Sequence, residues 1–256
     1  MISPDLGGTP PARLPREAFV ALAVLAALWE TLARLSPALG IPAFAVPSLV
    51  RIGEALTKIT PLDVAVTLAR VLGALAASFA LGVAGAVVMY LSQTADRYAK
   101  PIVRLLMAVP VVSWILFAIL WFRWVEFRIG FVLVVVCAPV FLIDILDAMK
   151  GVSRELREMV RSFRPTRVQF FVKLMLPATL PAILTSWKIN LSLAIRVVTI
   201  AELVGAVTGI GHQLAVAQEL FSVANVFAWT LVLVVLLFAL EAAVNWLEHR
   251  LLRWRT

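Results

Sequence analysis

The sequence predicts an all-α integral membrane protein with about six transmembrane helices, and three observations carry that prediction. Of its 256 residues, 62% are hydrophobic and only 15% charged, against roughly 45–50% and about 25% in a soluble domain. The mean hydropathy is +0.98. The apolar residues gather into stretches at about 17–36, 67–91, 102–122, 129–148, 181–205 and 226–247. Each is near the roughly 20 residues a helix needs to cross a hydrocarbon core about 30 Å thick. One or two water-soluble domains of this length could not hide so much apolar surface. An ordinary cytosolic enzyme, a disordered chain and a collagen-like fibre are excluded.

Charge sets the orientation. The net charge is +8, from 23 Lys and Arg against 15 Asp and Glu. In a soluble protein that balance suggests nucleic acid, but cytoplasmic loops of membrane proteins collect Lys and Arg by default, so no nucleic-acid partner is expected. Arg13 and Arg16, then Arg97, Lys100 and Arg104, then the 149–180 loop, and finally Arg250, Arg253 and Arg255 fall on one side of a six-span arrangement. The other side receives only Arg51, Lys58, Arg123 and Arg128. Both termini and the 149–180 loop are therefore expected in the cytoplasm of a multi-pass inner-membrane protein. The expected layout is a cytoplasmic tail over 1–16, a transmembrane domain over 17–248 and a basic cytoplasmic tail over 249–256.

The first stretch has a rival reading as a cleaved signal peptide ending near Ala43-Phe44-Ala45. It is too long for a signal core and is interrupted by Glu30 and Arg34, so it reads as a span. Ala74, Ser78, Gly82 and Ala86 put small residues at every fourth position of the second stretch. That period lets helix backbones approach closely in lipid, and generic helix packing is sufficient to explain it. Pro110 and Pro139 remove backbone donors inside the third and fourth stretches. Cys137, the only cysteine, lies in an apolar run, which leaves no disulfide framework and no thiol metal site. Trp114, Trp121, Trp124, Trp229 and Trp246 fall near span ends, where interfacial anchors belong.

The loop over 149–180 is too charged for lipid and too patterned for a linker. Val152, Leu156, Met159, Val160 and Phe163 form one apolar helical stripe. Charged residues cover the other face and Ser153 stands as N-cap. Pro165 stops this helix, and Thr166-x-x-Gln169 reads as a capping box that opens a second one, running from Val168 to Leu176 and ending at Pro177. Pro181 then opens the fifth span. Such a helix pair reads as a docking element for a protein; the alternative is that it rests on lipid headgroups.

Here a resemblance becomes specific. Glu158-Met-Val-Arg-Ser-Phe-Arg164 followed by Leu174-Met-Leu-Pro177 resembles the EAA loop of ABC importer permeases, in which Glu-Ala-Ala, three residues, Gly, nine residues and Ile-x-Leu-Pro follow in order. Leu120-Trp121-Phe122, Ala201-Glu202-Leu203, Gly205, Gly209-Ile-Gly211 and the Arg250-Leu-Leu-Arg-Trp-Arg255 tail are similar to the same family, from about residue 25 onward. The resemblance implies a type I, binding-protein-dependent importer permease of the taurine, sulfonate and nitrate subfamily. It implies that Glu158, Met159, Val160, Arg161, Phe163, Arg164, Leu176 and Pro177 couple the chain to a cytoplasmic ATPase dimer. It further implies a second permease subunit (identical or different), a periplasmic substrate-binding protein and surrounding membrane lipid. Met159 and Val160 stand for the motif's alanines, and Arg164 for its glycine. Glycine at such a turn usually supplies a left-handed backbone that costs other residues about 1 kcal/mol.

In the fifth stretch Lys188, Ser192, Arg196, Thr199 and Glu202 fall within an arc of roughly 120°. Charges inside a span face protein or a water-filled cavity, so the stripe either lines a path for a solute or locks helices together. Arg196 and Glu202 each need a partner elsewhere, for which Asp144 and Asp147 are candidates. An arginine on a path would favour an anion such as sulfonate or nitrate. Gly205, Gly209 and Gly211 follow no strand, so they read as the turn into an external re-entrant segment carrying His212 and Glu219, rather than as a nucleotide loop. His212 and His249, the two histidines, are a span apart and make no metal pair. No G-x4-G-K-[ST] loop occurs, so the chain is expected to need no cofactor, with ATP and Mg held by the partner ATPase. The alternatives are a carrier driven by an ion gradient, which would show inverted repeats, and an intramembrane enzyme, which would need a nucleophile beside an embedded base.

Overall fold

The computed structural model describes residues 16–42 and 44–252. Arg13, Ala43, Arg253 and Arg255 lie outside the described residues. The elements run α1 (Arg16–Leu35), α2 (Leu49–Leu56), α3 (Pro61–Leu91), α4 (Gln93–Ala108), α5 (Val111–Trp121), α6 (Val125–Gly151), α7 (Arg154–Ser162), α8 (Arg167–Phe170), a π-helical turn (Phe171–Met175), α9 (Leu176–Gly205), α10 (Ile210–Glu219) and α11 (Val223–Leu251). No strand occurs among the described residues.

The chain divides into two compact units, Met1–Ile59 with Ala217–Ala228, and Thr60–Val216 with Trp229–Thr256. In the first unit, the two charges that interrupt the apolar stretch have local work. Glu30 accepts from the Leu49 backbone N–H at 3.0 Å and from Arg34 Nε at 3.0 Å. A carboxylate at the start of α2 fills one of the donors that a helix N-terminus leaves open. Trp29 donates from Nε1 to the Pro47 carbonyl at 3.0 Å, and its ring lies 5.0 Å from Phe227. α2 itself is an element the apolar pattern did not announce.

The second unit is built on α3, α6 and α9. Phe79, Phe141 and Trp187, one from each helix, meet with ring centroids 5.3 to 5.4 Å apart. Val71, Leu75, Leu133, Phe141, Ala194 and Val198 are fully buried around them. The stripe Ala74, Ser78, Gly82 and Ala86 is buried too. A Cβ added to Gly82 would sit 2.6 Å from Phe141 Cβ and 3.1 Å from the Leu142 nitrogen. The small-residue period therefore serves close packing of α3 on α6 within one chain.

Among the described residues, four helical runs are long and apolar enough to cross a membrane: Pro61–Leu91, Val125–Gly151, Arg167–Gly205 and Val223–Leu251. The expected third span, 102–122, is not one helix. α4 and α5 meet at 92°, because Pro110 pushes Val109 to an extended backbone with ψ of 126°. Counted together they make a fifth crossing or a re-entrant loop. Pro139, in contrast, is buried inside a continuous α6, where packing on α3 and α9 outweighs one lost hydrogen bond.

A second correction concerns Pro177. The helix that Thr166 opens does not end there but runs on into α9 through the π-helical turn. A proline ring collides with the carbonyl four residues earlier, and the Leu176 N–H reaching back to Phe171, five residues away, relieves that crowding. Pro177 consequently occupies a first-turn position of α9, where its missing N–H is tolerated. A third correction concerns the tryptophans. Trp121, Trp124 and Trp246 are exposed as anchors should be, but Trp229 is buried, and Trp114 is half-covered among Phe117 and Phe131.

Candidate functional site

Three places collect the polar residues singled out by sequence. The first is the loop between α6 and α9. Ser153 Oγ accepts from the Leu156 N–H at 3.2 Å and caps α7. Thr166 and Gln169 form the reciprocal capping box, at 3.2 and 3.0 Å. Val160 packs against the core, as do Phe170 and Phe171, whereas Met159 is 54% exposed and Phe163 80%. Leu156 and Leu176 are exposed as well. Glu158 is held by Arg154 at 2.6 Å, a pairing one helical turn apart on an open surface. Pro177 is half-buried. The apolar stripe of α7 is thus mostly left uncovered by its own chain.

Arg164 resolves the question posed by the missing glycine. It takes φ of +50°, the left-handed backbone that glycine would supply. Arg164→Gly is therefore expected to stabilise the chain by about 0.5–1 kcal/mol, the local strain less the entropy glycine adds to the unfolded state. Thermal unfolding in mild detergent reads it, and a lower midpoint would sink the strain assignment.

The second place is the α9 stripe, whose five residues do not form one surface. Lys188 donates to Glu248 on α11. Ser192 is half-buried, and Thr199 Oγ1 donates back to the Ile195 carbonyl at 2.7 Å. Arg196 is exposed and forms no ion pair among the described residues. Asp144 accepts from Ser186 Oγ at 2.6 Å rather than from Arg196, and Asp147 is exposed. Glu202 is completely buried.

The partner of Glu202 defines the third place, a polar network joining α3, α9 and the turn into α10. Arg70 donates from Nη1 to Glu202 Oε1 at 2.7 Å and to the Thr208 carbonyl at 2.8 Å. Its Nε and Nη2 clamp Glu126, Nε at 2.8 Å. Thr67 Oγ1 lies 2.9 Å from both Glu202 oxygens and accepts from the Ile210 N–H at 2.9 Å. The Gly211 N–H donates to Glu202 Oε2 at 2.9 Å, and the Gly209 N–H to Asp63 Oδ1 at 2.8 Å. Gln213 donates to the other Asp63 oxygen at 2.9 Å. Two carboxylates thus sit at the N-terminal end of α10, where free N–H groups and the helix dipole favour negative charge.

The glycines make this geometry possible. Gly209 has φ of +111°, and a Cβ there would lie 2.5 Å from the Glu202 carboxyl carbon. A Cβ on Gly211 would lie 2.3 Å from the Thr199 carbonyl oxygen. Gly205 is different: its Cβ would meet only Ile119, at 3.7 Å or more. Sequence reasoning found Glu202 and the glycines but missed Asp63, Thr67 and Arg70. Their signal was present, since positions i, i+4 and i+7 share one helix face, but Arg70 was absorbed into an apolar stretch.

Comparison with known proteins adds four findings. Residues 71–253 match the family described as "Binding-protein-dependent transport system inner membrane component". The chain is 30% identical over 243 residues to the taurine transport system permease protein TauC of Escherichia coli (strain K12), spanning 91% of this chain and 87% of that one. It is 28% identical over 190 residues to the formylaminopyrimidine transport permease protein ThiX of Halalkalibacterium halodurans, spanning 74% and 76%. Its fold is similar to a chain of the MetNI methionine ABC transporter solved in inward-facing conformations, with a TM-score of 0.59, 21% identity, and coverage of 74% of this chain and 93% of that one.

Proposed function

Because this chain belongs to the family of binding-protein-dependent transport system inner membrane components, we propose that it passes a small anionic solute across the inner membrane by alternating access. As an ABC importer permease it is a transport subunit, and ATP hydrolysis belongs to a separate subunit. That assignment displaces the ion-gradient carrier and the intramembrane enzyme. In this reading a periplasmic binding protein delivers the solute, a second permease completes the path, and both termini and the α7 loop face the cytoplasm. The basic residues of the loop favour that side.

The observation that carries the coupling role is the uncovered stripe of α7. An amphipathic helix that leaves Phe163 80% exposed offers its apolar face to a groove in a partner. Glu158, Met159 and Phe163 would meet the ATPase, Val160, Arg161 and Arg164 would shape the helix and turn that present them, and Leu176 with Pro177 would pass the motion into α9. Phe163→Ala is expected to weaken ATPase binding by roughly 30-fold, as truncation of a central aromatic anchor does, without changing thermal stability. Charge-reversing Glu158→Arg is expected to lower ATP-driven uptake in proteoliposomes. If both variants bind ATPase and transport normally, α7 is not the coupling element.

Arg196 supports the anionic solute. An exposed guanidinium within a span does not rest in lipid, so a water-filled path or a second subunit must cover it. Lys188, Ser192 and Thr199 share its helix, while Glu202 has the surroundings of a lock rather than of a path residue. Arg196→Leu is expected to reduce uptake of an anion such as a sulfonate while leaving complex assembly intact. Undiminished uptake would assign Arg196 to the subunit interface instead.

A further inference from the structure

A cavity of about 750 Å³ lies between the last turns of α3 and the segment from the end of α7 to the π-helical turn. Its walls are of two kinds. Val87, Leu91, Val168 and Val172 supply apolar lining, and Leu91, Val168 and Val172 are exposed. Arg161, Arg164 and Arg167 supply its charged lining, and no carboxylate lines the cavity. None of these three arginines forms an ion pair among the described residues. Arg161 carries its guanidinium 5.5 Å from the centroid of the Phe170 ring, another lining residue, and Arg164 is presented by its left-handed backbone. At 100° per residue, Arg161 points roughly 160° away from the Leu156, Met159 and Phe163 stripe, so the cavity turns away from the proposed ATPase contact.

We propose that this groove binds an anionic phospholipid of the adjacent leaflet. The phosphate sits among Arg161, Arg164 and Arg167, and an acyl chain runs along Val87, Leu91, Val168 and Val172. Guanidinium forks match phosphate oxygens, and the exposed apolar wall runs on from the last turn of α3, a helix long and apolar enough to cross a membrane. A soluble anion would leave that wall wet, and a protein partner would have to bring acidic groups to the depth of the last turn of α3. The charge and the position both suit a lipid. The inference needs α3 to span the membrane but does not need the ATPase.

The test is native mass spectrometry of the full chain in mild detergent, titrated with phosphatidylglycerol, phosphatidylcholine or inorganic phosphate. Each basic residue near a membrane surface favours anionic lipid by about fivefold, so phosphatidylglycerol should be retained on the order of 100-fold better than phosphatidylcholine. The double variant Arg164→Gly with Arg167→Gln should lose roughly 25-fold of that preference, and glycine at position 164 relieves strain, which keeps the variant folded. Thermal unfolding of the same sample checks that. Equal retention of the two lipids, an unchanged preference in the double variant, full displacement by inorganic phosphate, or a folded sample that takes up neither lipid would each overturn the proposal. Phe163→Ala, which probes the coupling reading, should leave the lipid preference intact, so the two readings fail separately.

Discussion

Replacing Arg70 by alanine is expected to destabilise this permease by about 3–5 kcal/mol, the usual cost of leaving a buried charge without its partner. Glu202 is 0% exposed and Arg70 only 6%, so water cannot replace the lost guanidinium. The Thr208 carbonyl loses its donor in the same step. Arg70→Lys should rescue little, because a single ammonium cannot span Glu202, Thr208 and Glu126 at once. Adding Glu202→Gln to Arg70→Ala should recover part of the loss, since a neutral amide still accepts from Thr67 and Gly211 and carries no unpaired charge. Residues in one network couple by about 0.5–3 kcal/mol, so the double variant should be more stable than the sum of the singles. Cys137 supplies the readout. It is the only cysteine and is buried in the core, so its labelling by a thiol probe on heating reports unfolding in detergent. If Arg70→Ala unfolds at the wild-type temperature, the network contributes nothing and its geometry is wrong.

The three glycines of the turn should separate sharply in the same assay. Gly211→Ala drives a methyl to within 2.3 Å of the Thr199 carbonyl, and a backbone oxygen in mid-helix has nowhere to go. Gly209→Ala adds a left-handed backbone to a collision with Glu202. Strain of about 1–3 kcal/mol plus a broken buried hydrogen bond at about 1–3 kcal/mol puts each loss near 3 kcal/mol or more. Gly205→Ala has ordinary contacts only and should stay within about 0.5 kcal/mol of the parent. Equal behaviour of Gly205→Ala and Gly211→Ala would reject the close approach of α10 to α9. Because Glu202 and Asp63 are both held by N–H groups of this turn, either damaging variant should also weaken the effect of Arg70→Ala.

What could be read along the chain was whatever is encoded within a few neighbouring residues. Ser153 as a cap and Thr166 with Gln169 as a capping box involve partners three positions apart, and all are present as expected. Apolar stretches of span length gave the membrane class, since length and hydropathy are local sums. The EAA-like spacing led to the permease family, which the match over residues 71–253 shows. Prolines were harder. Pro110 breaks a helix pair at 92° and Pro139 bends nothing that ends α6, because the outcome depends on which neighbours pack against each helix. Pro177 was expected to end a helix, and one π-helical turn let the chain continue.

By itself the sequence determined an all-α membrane protein, the positions of most of its apolar helices, and the cap chemistry of the basic loop, because these depend on hydrophobic period and short-range hydrogen bonds. Only the tertiary structure decided where the charges go. It paired Glu202 with Arg70, 132 positions away, gave Lys188 to Glu248, left Arg196 exposed and left Leu156, Met159 and Phe163 of the α7 stripe uncovered. A charge inside a span must be matched across space, and the identity of its match is written in the packing of α3 against α6 and α9 rather than in the residues beside it.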